Sequence, residues 1–515
     1  MTGTNRGPIG TDAGRRALFG SRQLAPIQPL SPFADLLADW DQGSGPYYQR
    51  LAARLRTGIR NGQLVGGMRL PPERQLAAHL GVGRSTVVRA YAELKRAGLL
   101  HRRQGSGTVV AASTRIYSTQ PFELSSLISR NVVVRLVAES RDGAVDFLSA
   151  HAMQDPAVDE IMGRALAAAA PTEQFSVSGY YPLGFPPLRA ALAAQLTREG
   201  LRTSEDQILV TSGAQQAIAL VALGLIRDRR NVVVEDPTFP GAIDSFRVGG
   251  ARLLPIPMTE AGLDVEELAA LLEDTEVALA YIMPSNHNPT GTVMPAGARA
   301  ELAQLAEATG FVLVEDNALA DLDLTGSRPK PIAALTRRGI VLSIGSLSKV
   351  FWGGFRIGWL RGPREMVAHL GQVKATADLG TSVLSQLVAV RLLDHIDEVR
   401  QLRRAQVGAS LDRLEHLLST HLPEWRWTRP SGGLSLWAQL PYGSSSELAR
   451  LAHRHGVSIA PGAVMSARGG FDDYVRLPLG RSGKTMALGV ERLAAAWREY
   501  IDSTPKAASR LGIVI

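Results

Sequence analysis

The sequence predicts two folded parts in one chain: a small, basic, mainly helical module near the N-terminus, and a large α/β domain after it. Three observations carry this. Positive charge is concentrated in residues 46–112; the same stretch carries three helical patterns and two strand-like runs; and from Asp146 short β-rich runs alternate with helical stretches. The 515 residues suggest about three structural units at roughly 150 residues each. Hydrophobic residues make up 45% and charged residues 20%, so a large core is available and a mostly disordered chain is excluded. Cysteine is absent, which rules out disulfides, thiolate metal sites and cysteine nucleophiles. The longest clean apolar run, Ala217–Ile226, is too short to span a bilayer. No apolar core of a signal peptide follows the N-terminus, so the cytoplasm is the expected compartment.

The charge distribution is uneven. Residues 46–112 hold 12 Lys/Arg and two acids, Glu73 and Glu93, a net +10, whereas the whole chain carries +8. A polyanion such as double-stranded DNA explains such a concentration, because each neutralised phosphate releases counterions. The competing reading is a solvated basic face without a partner.

Each element follows from local pattern. Residues 1–45, rich in Gly, Pro, Ser and Gln, read as a flexible tail, with Phe33, Leu36, Leu37 and Trp40 able to form a short helix. Residues 46–64 carry helical apolar spacing at Tyr48, Leu51, Leu55 and Ile59. A second helix starts after Pro71-Pro72 and runs to Leu80; Gly81-Val82-Gly83 turns the chain. A third helix starts near Ser85 or Thr86, either able to cap it, and ends at Gly98. Two strands, Leu99–Arg103 and Thr108–Ala111, flank Gln104-Gly105-Ser106-Gly107. Three helices and a β-wing make a winged helix-turn-helix. Its third helix presents Arg84, Ser85, Thr86 and Arg89 as base and phosphate readers; Arg74 is a further DNA-binding candidate, and Arg102 and Arg103 sit on the wing. A three-helix protein-interaction module is the alternative. This stretch resembles the DNA-binding domain of GntR-type transcriptional regulators, through Leu70-Pro71-Pro72-Glu73-Arg74-Gln75-Leu76-Ala77, Leu80–Val87, Ala90-Tyr91 and Gly105–Thr108.

Residues 113–145 read as a linker with a short helix around Leu127–Leu136. Strands are expected at Ile208–Thr211, Val232–Glu235, Ala278–Met283, Val312–Glu315 and Val341–Ile344, and a long helix at Glu398–Leu418. The third layer of reading is chemical. Lys349, in Gly345-Ser346-Leu347-Ser348-Lys349, follows an apolar strand and a small-residue turn, where an amine can be desolvated for Schiff-base chemistry. Arg356 downstream suits a phosphate-bearing aldehyde. Ser212-Gly213-Ala214-Gln215 opens a helix and offers amides to an anion. Asp316 could pair with a pyridinium nitrogen, Asn288 with a ring oxygen, Phe239 could stack on the ring, and Arg476 could clamp a carboxylate. Taken singly, each has a plain structural reading: a cap, a core ring, a turn residue, an ion pair.

Residues from about Asp146 to Tyr500 resemble the fold-type-I aminotransferases, through Gly184–Arg189, Asn288–Gly291, Gly345–Lys349 with Arg356, and Ser431-Gly432-Gly433. A GntR-type reader joined to such a domain is similar to the MocR subfamily of bacterial regulators. The resemblance implies a mostly parallel seven-stranded sheet with a smaller C-terminal α+β subdomain, in a domain spanning 146–505. It implies pyridoxal 5'-phosphate on Lys349, its phosphate held by Ala214, Gln215, Ser346 and Arg356 beside Ser348, and a head-to-tail homodimer lending a tyrosine, Tyr180 or its rival Tyr181. It also implies a cytoplasmic, nucleoid-associated regulator whose effector is an amino acid, an amine or a vitamin B6 compound. An aminotransferase with a fused DNA-binding module is the alternative. One position departs from the enzymes. Three residues after Asp316, where they place a phenol that bonds the ring oxygen, stands Leu319, so little or no transaminase activity is expected. Ser346-x-x-Lys349 lacks the companion motifs of a β-lactamase, Ser482–Thr485 lacks the first glycine of a P-loop, and the ten histidines show no metal-ligand spacing.

Overall fold

The computed structural model describes residues 37, 40, 45–60, 64, 68–96, 99–103, 107–110, 143–169, 178–226, 230–326 and 328–503. The chain divides into two units, residues 1–123 and 124–515. The expected linker helix at Leu127–Leu136 lies outside the described residues.

In the first unit, helix α1 (Tyr47–Arg60) precedes α2 (Glu73–Leu80) and α3 (Arg84–Arg96). Pro72 stands just before α2 with φ −54°, already near the helical value, and Gly81 closes the helix in the left-handed region at φ 65°. Only Val82 and Gly83 remain before α3, so the two helices meet at a tight turn. Helix α3 opens one residue earlier than expected: Gly83 O accepts from Thr86 N at 3.0 Å, which leaves Ser85 and Thr86 in the first turn rather than at the cap. The inner face Val87, Ala90, Tyr91 and Leu94 is buried against Leu51, Leu55 and Leu76. The Tyr91 hydroxyl donates to Pro71 O at 2.9 Å and ties α3 to the start of α2.

Strands β1 (Leu100–Arg103) and β2 (Gly107–Val110) pair antiparallel, Leu100 opposite Val110. The wing gains a third, unexpected edge. Arg69 bridges Val109, while Leu70 N donates to Thr108 O and Val110 N to Met68 O. Leu37 and Trp40, assigned to the tail, are buried in this core, and Trp40 meets Tyr47 at 5.7 Å.

The second unit is built on eight strands: β4 (Ile208–Thr211), β5 (Asn231–Asp236), β6 (Arg252–Thr259), β7 (Gly262–Leu263), β8 (Leu279–Ile282), β9 (Val312–Asp316), β10 (Val341–Ser346) and β11 (Gly358–Arg361). Their order is β4-β11-β10-β9-β8-β5-β6-β7. The run from β10 to β6 is parallel; β11 is antiparallel to both neighbours, and β7 folds back on β6. The sheet therefore has one strand more than the expected seven, because two residues after the Thr259 turn are long enough to pair. Successive residues feed different cores. Leu279 and Tyr281 join one apolar cluster, Ala280 and Ile282 another. A strand covered on both faces is buried at every position, as β4, β8 and β10 are, and its residues are apolar or, like Ser343, hydrogen-bonded inside the core.

A second sheet, β12 (Arg426–Trp427), β13 (Ser435–Gln439), β15 (Tyr474–Pro478), β14 (Val457–Pro461) and β3 (Val145–Phe147), is ordered β12-β13-β15-β14-β3. It is the expected smaller subdomain, and its outer strand comes from the start of the unit. Helix α4 (Ile396–His421), 26 residues long, runs before this subdomain, and α5 (Gly483–Ser503) closes it. A Cβ at Gly489 of α5 would lie 2.2 Å from the Phe147 ring, so a glycine is required for the helix to reach β3.

Candidate cofactor site and nucleic-acid interface

The parallel strands end on one side, and the chemistry collects there, as it does in open α/β sheets. Beyond β4, Gly213 adopts φ 91° and launches helix α6 (Ala214–Leu225). Ala214 and Gln215 begin its first turn, where N–H groups have no helical acceptor and favour an anion. Arg356 holds φ 52° after the turn that follows β10 and donates to Ser212 O at 2.5 Å. A Cβ on Gly213 would lie 3.2 Å from the Arg356 guanidinium, so the glycine leaves a cradle open beside it. Ser346 Oγ accepts from Ser348 N at 3.2 Å. Ser348 Oγ is buried with no hydrogen-bond partner. The Gln215 side chain turns away, donating to Gly241 O at 3.0 Å and Ser245 Oγ at 2.9 Å, which leaves its backbone to the anion site. Phe239 stands before Pro240, at the start of the next helix, and its ring lies against Gly241.

Asp316 is the last residue of β9 and is buried. Its Oδ1 accepts from Ala318 N at 2.9 Å and its Oδ2 from the Tyr281 hydroxyl at 2.7 Å. Burial pushes its carboxyl above the usual range, against the pull of those two donors and of Lys349. Burial and the neighbouring Asp316 push the Tyr281 phenol far up, so it stays a donor. Lys349 as a whole residue is half-buried, but its amine is enclosed by protein and donates to Ala150 O at 2.9 Å. Burial, and then Arg476, bring its pKa down from 10.5 to about 8. Arg476 is buried on β15; it donates to Leu148 O, and to Asn288 Oδ1 at 3.5 Å, while its Nε has no partner. Burial lowers its pKa to about 10.

The structure thus gathers Lys349, Asp316, Arg356, Arg476, Asn288, Ser346 and the α6 start. It does not place Tyr180 among them: in the single chain that ring is 67% exposed, while Tyr181 packs edge-on against Phe185 at 5.5 Å. Leu319 contributes its side chain to the core and its carbonyl to Asn286 Nδ2 at 2.8 Å, with no hydroxyl for the site. Sequence reasoning missed Tyr281, which looks like one more apolar residue in a buried strand. It also missed Glu235, which accepts from Met283 N at 2.8 Å and stands 3.3 Å from His287. His287 in turn meets Thr290 Oγ1 at 2.9 Å.

Cavities of about 250, 850 and 820 Å³ open in this unit; Ser346 lines the first, and Lys349 lines none of the three. The backbone carbonyls of Ala150 and Leu148 accept from Lys349 and Arg476. The donor set there fits a phosphorylated pyridine aldehyde: an amine of lowered pKa, a carboxylate at the ring end, an unpartnered serine hydroxyl, and an arginine in a glycine cradle. Among the described residues no group of three or more His, Asp or Glu side chains could hold a metal ion.

On the first unit, Arg74, Arg84, Ser85 and Arg89 are exposed and Thr86 is half-buried. Arg89 lies 5.9 Å above the Tyr48 ring. Arg56 and Glu93, facing each other at 2.8 Å, neutralise one another behind this face. Arg102 and Arg103 are in β1, opposite Thr108 and Gly107; their side chains lie outside the described residues.

Family comparisons agree with both halves. The model for aminotransferase class I and II matches residues 148–493, and that for bacterial regulatory proteins of the gntR family matches residues 47–110. The chain belongs to the MocR-type regulators, in which these two domains are fused. It is similar to YdfD, an uncharacterized HTH-type transcriptional regulator of Bacillus subtilis: 31% identical over 458 residues, covering 84% of this chain and 92% of that one. A probable rhizopine catabolism regulatory protein, MocR, of Rhizobium meliloti is 29% identical over 442 residues, covering 81% and 86%. Among solved structures, the α-aminoadipate aminotransferase LysN of Thermus thermophilus, in complex with N-(5'-phosphopyridoxyl)-L-leucine, superposes with a TM-score of 0.66 at 30% identity. The match covers 73% of this chain and 98% of that one.

Proposed function

We propose that this regulator binds promoter DNA through α3 and the wing, holds pyridoxal 5'-phosphate at Lys349, and responds there to an amino acid, an amine or a B6 compound. The carrying observation is the Lys349 amine, enclosed by protein and flanked by Asp316, Arg356 and Arg476, in a chain whose first unit exposes Arg84 and Arg89. Ala214, Gln215, Ser346 and Arg356 would hold the phosphate, with Ser348 supplying a further hydroxyl. Asp316 would face the ring nitrogen, Asn288 the ring oxygen and Phe239 the ring plane. Bound there, the cofactor supplies an aldehyde that condenses with amines and a ring that draws electrons from them.

The chain's own residues set the rest. With a pKa near 8, the Lys349 amine has a much larger neutral fraction at neutral pH than an ordinary lysine, as a nucleophile needs. Tyr281 fixes the Asp316 carboxylate rather than a ring oxygen. Arg476 offers a carboxylate a buried cation. A head-to-tail dimer, with Tyr180 or Tyr181 reaching a neighbouring site, fits the exposure of Tyr180. Among the described residues no helix is long and apolar enough to cross a membrane, which suits a protein working at the chromosome in the cytoplasm. The second reading, an active aminotransferase, is favoured by the complete Lys349, Asp316 and Arg356 set and opposed by Leu319. Purified protein incubated with the cofactor is expected to turn yellow, and Lys349→Ala to stay colourless. A wild type that stays colourless overturns the reading, and enzyme-like exchange between amino acid and keto acid favours the second one.

A further inference from the structure

A cleft of about 820 Å³ opens where helix α7 (Pro240–Val248), which follows β5, meets helix α8 (Ser445–Arg454), strand β14 and the loop from Ser466 to Gly469. Its ionisable lining is all basic. Arg247 comes from α7, Arg450 and His453 from α8, and Arg468 from the loop; among the described residues no Asp or Glu lines it. Arg450 and His453 are three residues apart on one helix and so are surface neighbours. Like charges gathered in a concave site raise a positive potential that draws an anion in.

These cations keep donors to offer. Arg247 gives one bond, from Nη2 to Ala467 O at 2.8 Å. Arg468 donates to Pro255 O, and its Nε stands 3.6 Å from the Asp236 carboxylate. A guanidinium has five N–H groups, so both retain some. Arg450 is exposed, with no hydrogen-bond or ion-pair partner among the described residues. His453 Nδ1 meets the buried Ser458 Oγ at 2.9 Å, which fixes the ring. A second kind of observation comes from Ser466, which lines the same cleft and is only 6% exposed. Its Oγ accepts from Arg468 N at 3.1 Å and from Gly470 N at 3.0 Å. Its own hydroxyl proton is left without an acceptor among the described residues. Between the cations the lining is largely apolar: Ile243 and Ile459 are buried, and Val464 is half-buried.

We infer that this cleft is a second ligand site, separate from Lys349, for a small phosphate monoester with an apolar body. Charge selects phosphate over carboxylate. A monoester carries about −1.5 to −2 at neutral pH on three acceptor oxygens, enough to meet two guanidiniums and a hydroxyl at once. Shape selects a small molecule over DNA. A duplex is too broad to enter a cleft of this size and would leave the apolar lining uncovered, whereas an apolar-lined cleft with a few placed polar groups suits a small ligand. The inference goes beyond the cofactor reading and does not rest on it.

The test is calorimetric titration of the full-length protein, after incubation with pyridoxal 5'-phosphate and removal of the excess. The probe is phenyl phosphate, a monoester with neither amine nor aldehyde. Saturable binding is expected, with benzoate at least about ten-fold weaker. Arg450→Ala and Arg247→Ala should each weaken phenyl phosphate about ten-fold, and Arg450→Glu about 100-fold. Arg450 is exposed and unpartnered, so its variants should fold as the wild type does. Absence of binding at about 10 mM probe overturns the inference. So does unchanged affinity in all three variants, which would put the probe in the cofactor's phosphate site, and so does benzoate binding as tightly as phenyl phosphate. Weaker duplex DNA binding by Arg450→Ala, with no phenyl phosphate bound, overturns it in favour of a polyanion contact. A wild type that takes up no cofactor but binds phenyl phosphate in an Arg450-dependent way overturns the cofactor reading and supports this one.

Discussion

Two sets of cations define this protein, and they work in opposite surroundings. Arg74, Arg84 and Arg89 stand exposed on the first unit, and among the described residues none of them forms an ion pair. Lys349, Arg476 and Arg481 stand inside the second unit, where main-chain carbonyls and, for Arg481, the Asp146 carboxylate take up their hydrogen bonds. An exposed guanidinium keeps its hydration, costs little to hold and interacts with anions in a salt-dependent way. A buried one has lost its water, its pKa falls, and each donor left without an acceptor is costly. The first arrangement suits a long polyanion met at many points. The second suits one small anionic ligand met at a few.

That contrast can be sharpened by substitution. The largest effect is expected on the exposed side: Arg84→Ala combined with Arg89→Ala should weaken binding to a promoter fragment about 100-fold. It should also flatten the slope of log affinity against log salt by about 2 if both touch phosphate. Gel-shift titrations at several salt concentrations check both. An unchanged slope and affinity would remove α3 from the interface.

On the buried side, the effect should appear as pH dependence. In the cofactor-free protein Lys349 titrates near 8, against 10.5 in its ordinary state. Between those values the unfolded chain binds more protons than the folded one, so stability contributed by this group rises as pH climbs from about 8 to about 10.5. Denaturation midpoints of wild type and Lys349→Met should therefore diverge less at pH 10 than at pH 8. The difference should be about 2 kcal/mol once the partly accessible stem is allowed for. A constant difference would place the amine in water.

The smallest of the three effects is expected at Tyr281→Phe, which removes the hydroxyl donating to Asp316. Stability should drop by about 1.5 kcal/mol, read from urea unfolding. Burial already raises the Asp316 carboxyl, and losing this donor should raise it further, in the direction opposite to a loss of packing alone.

How much of this was legible follows from the range of the interactions. Strands β4, β5, β8, β9 and β10 were readable because both faces are covered, so each carries a run of consecutive apolar residues, with polar residues such as Glu235, Asp316 and Ser346 towards the strand ends. Strand β6 was missed because Pro255 and Pro257 interrupt it, a pattern confined to the margins of sheets. Strand β11 was missed because four residues starting at Gly358 leave Trp359 half-buried and show no period. Lys349, Asp316, Asn288 and Arg356 could be picked out because each lies in a short motif at a strand end. Tyr281 could not, since its role depends on Asp316, 35 residues on. The contact of Arg476 with Leu148 spans 328 residues, and nothing local in either segment announces it.

The central claim is that Lys349 is the covalent anchor of a pyridoxal cofactor in a DNA-binding regulator. The most direct measurement is to incubate the full-length protein with pyridoxal 5'-phosphate, reduce with borohydride and locate the fixed label by peptide mass spectrometry. The label is expected on Lys349, close to one per chain. A protein that carries no label, or carries it on other lysines while Lys349 stays free, contradicts the account.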